Sequence, residues 1–239
     1  MSERIAKFIA RSGVCSRRAA EELILQQRVT LNGQVINSPA VNVEPTDKIL
    51  IDGEKLPAIE QTRLWLYYKP TGLITSHKDS SRPTVFDNLP AGMPRVISVG
   101  RLDLNSEGLL LLTNNGELSR LLELPQNGWS RRYKVKVHGQ VTQQKLNSVS
   151  NGVTIDGVNY GPVKITIDNT QGTNTWLTIT LSEGKNREIR RLMQYIGLEV
   201  ARLIRLSYGP FQLGSLKKGE VKEVPHKVLK EQLGGKFEL

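Results

Sequence analysis

One aspartate, Asp103, stands out in residues 100–118, which read GRLDLNSEGLLLLTNNGEL. It comes shortly after Arg101 and before a polar turn that ends at Gly108, and the four leucines that follow predict a buried strand. A carboxylate at the end of a strand can serve as a nucleophile or as a general base. The alternative is structural, because an aspartate in a turn often accepts hydrogen bonds from its own backbone.

Two ligand-binding motifs match parts of the sequence but lack key residues. Asp103 could begin a calcium loop, but the twelfth position is Asn114 rather than a bidentate glutamate. The Gly184-Lys185 pair resembles the end of a nucleotide-binding phosphate loop, but Asn186 replaces the hydroxyl residue and Ile179 the first glycine. Neither calcium nor a nucleoside triphosphate is therefore expected.

A basic segment, SEGKNREIRRLMQYIG, is the second candidate for chemistry. Its apolar residues recur at helical spacing and predict a basic helix over residues 183–196, which carries Arg187, Arg190 and Arg191. A buried carboxylate without a partner tends to take up a proton, so we expect an arginine partner for Asp103. The structural alternative is a solvated basic face.

An aromatic residue, Tyr133, opens the alternating strand YKVKV. A tyrosine at the start of a strand is usually half-buried packing. Leu203 and Leu206 alternate in the later strand ARLIRLSYGP, which predicts that they pack in the core.

Residues 1–57 predict an ααβ unit. Ser2 and Ser16 are candidate N-caps of two short helices, of which the first ends at Gly13. Asn32-Gly33 and Asp52-Gly53 are typical of two-residue hairpin turns. Basic residues on the polar sides of the helices suggest a surface for nucleic acid, with a solvated face as the alternative. They are Arg4, Lys7, Arg11, Arg17 and Arg18.

The rest of the chain alternates strands with helices, and strands predominate. Residues 57–61 are polar and aperiodic, which predicts a linker. Strands are predicted at 63–68, 96–99, 109–113, 133–137, 200–206 and 221–224 and around 154, 165 and 177, and helices at 117–124, 142–149 and 183–196. This order indicates an α+β fold.

The composition favours an anionic partner. The 239 residues include 33 lysines and arginines against 23 acidic residues, which gives a net charge of +10. Residues 1–57 are nearly neutral, with eight basic and seven acidic residues, so the excess lies in the larger C-terminal part. Nucleic acid is the leading candidate for the partner.

Cysteine, histidine and hydropathy patterns exclude several classes. Cys15 is the only cysteine, and the three histidines have no metal-ligand spacing, so neither an intrachain disulfide nor a metal is expected. No apolar run approaches 18 residues, and the N-terminus lacks the apolar region of a secretion signal. We therefore expect a soluble cytoplasmic protein with no membrane partner.

Several of these segments together resemble the ribosomal RNA pseudouridine synthases that carry an N-terminal S4-type RNA-binding domain. The resemblance lies in GRLDLNSEGLLLLTNNGEL, EGKNREIRRLM, RRYKVKV, LYYKPTGLITS and the N-terminal RIAKFIARSGVCSRRAAEELILQQRVTLNGQVI. The family usually has threonine where this chain has Ser106, which keeps the hydroxyl. The resemblance implies an S4-type domain at residues 1–57. A catalytic domain at residues 62–239, with a mixed, mainly antiparallel sheet and flanking helices, would follow it.

The same resemblance implies roles for individual residues. Asp103 would be catalytic, Arg190 its ion-pair partner, and Tyr133 the ring that stacks on a flipped uracil. Arg101 would help to displace the target nucleotide from its helix. The residues expected to contact phosphates in the catalytic domain are Lys185 and Arg187.

The predicted function is the isomerisation of one uridine to pseudouridine in ribosomal RNA, without a cofactor, by a protein expected to be a monomer. The segments GLLLLTNNGEL and ARLIRLSYG favour 23S RNA of the large subunit over 16S RNA. The alternatives are a 16S enzyme and a non-catalytic RNA-binding or ribosome-assembly factor. The RNA could be free or part of a precursor particle.

Overall fold

The computed structural model describes residues 2–237, so the last two residues of the predicted catalytic domain and Met1 of the predicted S4-type domain lie outside the described residues. Helices and strands are mixed along the chain, and the main sheet is mostly antiparallel. The α+β prediction is therefore confirmed.

The N-terminal unit has two helices and a small sheet. Ser16 caps the second helix by accepting a hydrogen bond from the Ala19 N–H at 3.1 Å, as predicted. Asn32 and Gly33 both have positive φ, which fits the predicted hairpin turn. The elements are α1 (Ile5–Arg11), α2 (Arg17–Leu25), β1 (Glu3–Arg4), β2 (Val29–Leu31), β3 (Gln34–Val35), β4 (Asn42–Val43), β5 (Ile49–Ile51) and β6 (Glu54–Lys55).

This unit has its own hydrophobic core, which is built around Ile5, Ile9, Ile24 and Val29. Residues 57–61 follow without regular structure and are exposed, as expected of a linker. An ion pair between Lys7 of α1 and Glu117 connects the unit to the larger part of the chain. The boundaries at residues 57 and 62 stay predictions.

The larger part is organised by a nine-stranded sheet. The strands are β7 (Leu64–Lys69), β8 (Ile97–Val99), β9 (Glu107–Thr113), β10 (Arg131–His138), β13 (Lys164–Gln171), β14 (Asn174–Leu181), β15 (Glu199–Tyr208), β16 (Phe211–Gln212) and β17 (Val221–Glu223), and a separate hairpin is formed by β11 (Val153–Ile155) and β12 (Val158–Tyr160). The main path of the sheet runs β13-β14-β10-β15-β9-β7-β17, with β8 on β9 and β16 on β15. Only β15 and β9 are parallel neighbours in this sheet as described.

Helices cover both faces of this sheet. The helices are α3 (Gly116–Glu123), α4 (Gln143–Ser150), α5 (Glu188–Tyr195) and α6 (His226–Leu233). Apolar residues of α4 and α5 join one core, which contains Tyr133 and Leu203. Apolar residues of α3 and α6 join the core on the other face, with Leu109 and Leu111. The part of the sheet formed by β7 and β9 is therefore buried between two helical layers, whereas the edge strand β13 is mostly exposed.

Two helix predictions need correction, and one helix was missed. The basic helix begins at Glu188 rather than at residue 183, because Arg187 has a φ of +52° and so cannot continue a right-handed helix. The first helix begins at Ile5 after Arg4, which makes no side-chain cap, so Ser2 is not its N-cap. Helix α6 was not predicted at all.

Candidate active site

The loop that carries Asp103 connects β8 to β9. Gly100 opens it with a φ of +66°, and the Ser106 N–H closes a turn on the Asp103 carbonyl at 3.0 Å. Leu102 is buried, which fixes the neighbouring backbone, whereas the Asp103 side chain is 31% exposed. The loop therefore presents the carboxylate at a surface while its backbone is anchored inside.

A buried lysine lies beneath this loop. Lys69, the last residue of β7, donates hydrogen bonds to the carbonyls of Pro70, Asp103 and Ser106 at 2.9–3.1 Å. Burial lowers the pKa of Lys69 to about 8, while the Asp103 carboxylate opposes this shift. Sequence analysis missed this residue, although a lysine at the end of the apolar strand LWLYYK was a usable signal.

Strands β9 and β15 approach each other closely where the Asp103 loop enters β9. Gly108 in β9 pairs with Arg205 in parallel β15 and has a φ of +106°. A Cβ atom at Gly108 would lie 2.4 Å from the Arg205 carbonyl oxygen, so only glycine fits. Next to this contact, the register of β15 against β10 shifts between Arg132 and Tyr133, as in a β-bulge.

The wall opposite Asp103 consists of the loop before α5. The left-handed backbone of Arg187 lies at the helix start, and its Nη1 atom is 3.6 Å from Asp103 Oδ2. Arg187 thus makes the ion pair that was expected of Arg190. The expected phosphate contact of Arg187 stays a prediction.

Arg190 has a different position from the one predicted. It donates to the carbonyls of Val200 and Asn105, each at 3.0 Å, and therefore joins α5 to the Asp103 loop. No ion pair between Arg190 and Asp103 occurs within residues 2–237. Burial lowers the pKa of Arg190, and Arg187 adds to this effect while Asp103 opposes it. These two carbonyls hold the guanidinium, which leaves the carboxylate to Arg187.

Tyr133 and Asp103 line the same cavity, which has a volume of about 610 Å³. Tyr133 is only 8% exposed and pairs across the sheet with Arg205, on the face where Leu203 also lies. The cavity is large enough for a nucleotide, and it combines an aromatic side chain, an aliphatic side chain and a carboxylate.

Two buried arginines at this cavity were missed by sequence analysis. Arg131 donates to the Tyr208 hydroxyl at 2.7 Å and to the Ser182 carbonyl at 3.0 Å. Arg205 donates to the Leu109 carbonyl, and its Nη2 atom is buried without a hydrogen-bond partner in the described structure. Neither arginine forms an ion pair with a carboxylate within residues 2–237. The cavity therefore suits an anionic ligand such as a nucleic-acid phosphate.

The remaining predicted RNA-binding residues differ in how free their charges are. Lys7 and Arg11 pair with Glu3, and Arg4 donates to the Ala40 carbonyl. Lys185 pairs with Glu183 and lies over the Tyr160 ring. Three of the predicted residues are exposed and have neither an ion pair nor a side-chain hydrogen bond in the described structure: Arg17, Arg18 and Arg101.

The described residues, 2–237, hold neither a metal-ligand cluster nor a membrane-spanning helix. No group of three or more histidine, cysteine, aspartate or glutamate side chains in that range could hold a metal ion. No helix in that range is both long enough and apolar enough to cross a membrane.

Comparison with known proteins decides the family. Residues 63–195 match the RNA pseudouridylate synthase family, and residues 3–49 match the S4 domain. The chain belongs to the RNA pseudouridylate synthase family. Members of this family are isomerases, so the chain is an RNA pseudouridine synthase with an S4 domain at its N-terminus.

Individual relatives agree with this family. An uncharacterized RNA pseudouridine synthase of Rickettsia bellii is 50% identical over 95% of this chain and 99% of its own length. The ribosomal large subunit pseudouridine synthase B of Salmonella typhi is 42% identical over 89% of this chain and 76% of its own length. A crystal structure of a pseudouridylate synthase has a TM-score of 0.67 and 27% identity, and the match covers 96% of this chain and 99% of that one.

Proposed function

We propose that this pseudouridine synthase modifies ribosomal RNA and that Asp103 is its catalytic residue. The observation that carries the proposal is the position of the Asp103 carboxylate, which lies at a nucleotide-sized cavity beside Arg187 and in the same cavity as Tyr133. The loop backbone around it is fixed by Lys69, so the carboxylate is held in place before the substrate arrives.

The reaction rearranges one nucleotide. The N1–C1′ bond of uridine breaks, the freed uracil rotates, a C5–C1′ bond forms, and the hydrogen on C5 is lost as a proton while N1 gains one. No oxidant or group donor is needed, so a carboxylate suffices. Asp103 could attack the uracil ring, attack C1′, or remove a proton from C2′ to give a glycal.

The other cavity residues have supporting roles in this proposal. Arg187 forms an ion pair with Asp103, and Arg190 anchors the Asp103 loop through the Asn105 carbonyl. Tyr133 offers an aromatic face to the flipped uracil, which offsets part of the cost of unstacking the base. Arg101 is exposed at the cavity and is suited to displacing the nucleotide.

For the target, we favour 23S RNA of the large subunit. The relative from Salmonella typhi, whose name specifies the ribosomal large subunit, supports this choice at 42% identity. Residues 1–57 are the proposed docking domain, which grips RNA through Arg17 and Arg18, and residues 62–239 are the proposed catalytic domain. We further propose that the protein acts as a monomer, and in the cytoplasm, where its ribosomal substrate is.

The test maps pseudouridine in 23S and 16S transcripts by carbodiimide treatment and primer extension. Wild-type protein should give a new stop in 23S RNA, and Asp103→Asn should reduce it by at least about 10³-fold while RNA affinity is kept. The matched control is Asp156→Asn, in an exposed Asp-Gly hairpin turn that also accepts asparagine.

Each other outcome has a distinct meaning. A stop in 16S RNA alone would show that the target lies in the small subunit. Full activity of Asp103→Asn would refute the catalytic assignment. Binding of both RNAs without any modification would favour the non-catalytic factor, and assembly intermediates would then be tested as substrates in the same assay.

A further inference from the structure

A buried carboxyl oxygen near the cavity has no donor. Glu188, the first residue of α5, is 4% exposed. Its Oε2 atom accepts a hydrogen bond from the Lys185 N–H at 2.9 Å. Its Oε1 atom is buried and has no hydrogen-bond partner in the described structure. An unsatisfied buried oxygen is costly, which indicates that the Glu188 carboxyl group is protonated and can donate a hydrogen bond.

The neighbouring polar group is a second carboxyl, that of Glu183. Its oxygens accept from the Gly161 N–H at 2.6 Å and from Lys185 Nζ. Lys185 contacts both carboxyl groups, because its backbone N–H donates to Glu188 and its ammonium donates to Glu183, so the two side chains lie on either side of the same residue. A hydrogen bond between the two carboxyl groups requires one of them to donate a proton to the other, because two carboxylates can only accept.

We infer that Glu188 holds this proton and is a positioning residue, because its hydroxyl donates to Glu183 and thereby fixes the loop that presents Arg187 to Asp103. The inference rests on the proposed function for its catalytic consequence. Glu188 then satisfies both of its oxygens, one as a donor to Glu183 and the other as an acceptor from Lys185. The loop is held at its other end by Arg131, which donates to the Ser182 carbonyl.

The surroundings of the pair favour this assignment of the proton. Burial raises the pKa of Glu188 to about 7; the Lys185 N–H opposes this shift, and the Glu183 charge reinforces it. For Glu183, burial raises the pKa, but the Gly161 N–H, the Lys185 ammonium and the Glu188 hydrogen bond together hold it below its usual value. The other charged or titratable groups at this loop are Arg131 beside Gly184, Tyr160 beneath Lys185, and Arg187.

A pH dependence follows from the shared proton. When Glu188 loses its proton above about pH 7, two adjacent buried carboxylates repel each other, the loop loosens, and Arg187 leaves Asp103. Glu188→Gln should avoid this change, because its amide donates to Glu183 and its carbonyl accepts from Lys185 at any pH. Glu188→Ala removes both bonds and should impair the loop at every pH.

The first experiment compares kcat/KM of the full chain from pH 5.5 to 9. Glu188→Gln should match wild type within about twofold at pH 6, and above pH 7 the ratio of Gln variant to wild type should rise about tenfold per pH unit. Glu188→Ala should lose at least about tenfold in activity throughout. Identical pH profiles of wild type and Glu188→Gln would overturn the inference.

A second experiment does not depend on activity. In protein with ¹³C-labelled glutamate carboxyls, the signal that Glu188→Gln lacks should titrate near pH 7, and Glu183→Gln should lower that midpoint by at least about one unit. The amide signal of Lys185 should shift with the wild-type midpoint and stay constant in Glu188→Gln. A Glu188 midpoint near pH 4.5, or a Lys185 amide signal that does not shift through the Glu188 titration, would refute the inference. Failure of the proposed function would instead appear as absent pseudouridine formation with both titrations intact.

Discussion

The Arg28–Asp52 ion pair of the N-terminal unit lies at the surface, whereas several charged groups around Asp103 are buried. Arg28 and Asp52 form a bidentate pair in which each side chain is almost half exposed. Around Asp103, by contrast, the side chains of Lys69, Arg131 and Arg205 are almost completely buried. Backbone carbonyls and a tyrosine hydroxyl, rather than carboxylates, hold these three cations.

Exposed cations and buried cations therefore have different roles in this protein. Exposed pairs contribute little to stability and can exchange partners, which suits a surface that docks on RNA phosphates. Buried cations that bind carbonyls fix the backbone, and removing them leaves several polar atoms unsatisfied. We therefore expect substitutions near Asp103 to change stability or catalysis, and substitutions in the N-terminal unit to change mainly RNA affinity.

The largest effect on stability is expected at Gly108. Gly108→Ala would place a Cβ atom 2.4 Å from the Arg205 carbonyl oxygen and should lower the free energy of unfolding by about 3 kcal/mol or more. Urea denaturation measures this change. The control is Gly92→Ala, which has a φ of +86° but no atom within 4 Å of the added carbon, and it should cost about 1 kcal/mol. An equal loss of unfolding free energy in the two variants would show that β9 and β15 can move apart to make room for the added methyl group.

A smaller effect, on catalysis, is expected at Arg187. Arg187→Met removes the ion pair of Asp103 and should lower kcat/KM about 100-fold, or about 2.7 kcal/mol. Because Arg187 is half exposed, the free energy of unfolding should change by less than about 1 kcal/mol. Arg190→Met is the comparison, and it should also destabilise the fold by about 2 kcal/mol because two carbonyls lose their donor. If only Arg190→Met reduced kcat/KM, the ion pair between Arg190 and Asp103 that the sequence predicted would be preferred.

The smallest effect is expected on RNA binding by the N-terminal unit. Replacing both Arg17 and Arg18 with glutamine should weaken the binding of a ribosomal RNA stem-loop about tenfold and reduce the salt slope by about 2, with kcat unchanged. Fluorescence anisotropy at several salt concentrations measures both quantities. Lys7→Gln is the control, because Lys7 already pairs with Glu3 and Glu117, and it should change affinity less than about twofold. A larger loss for Lys7→Gln would reverse the assignment of the docking surface.

Local sequence signals predicted most of the elements. The Ser16 cap and the Asn32-Gly33 turn act through neighbouring residues, so the sequence alone was enough to place them. The start of α5 was predicted wrongly because the apolar spacing continues through the loop, while the left-handed backbone of Arg187 interrupts the helix. Helix α6 was missed although Pro225 before it, the spacing of Leu229 and Leu233, and Gly234 after it are local signals. Its two leucines are buried in the core that also contains residues of α3 and the sheet.

By itself, the sequence determined the family, the α+β class and the candidate carboxylate, because motif, periodicity and turn chemistry are properties of short segments. The partner of Asp103 was decided only by tertiary structure. Arg187 and Arg190 are three residues apart and chemically identical, and the choice between them depends on the carbonyls of Val200 and Asn105, of which Asn105 is 85 residues away from Arg190 in the chain. The buried positions of Lys69, Arg131 and Glu188 were decided in the same way, because burial and the hydrogen bonds that make it tolerable arise from segments that meet only in the folded protein.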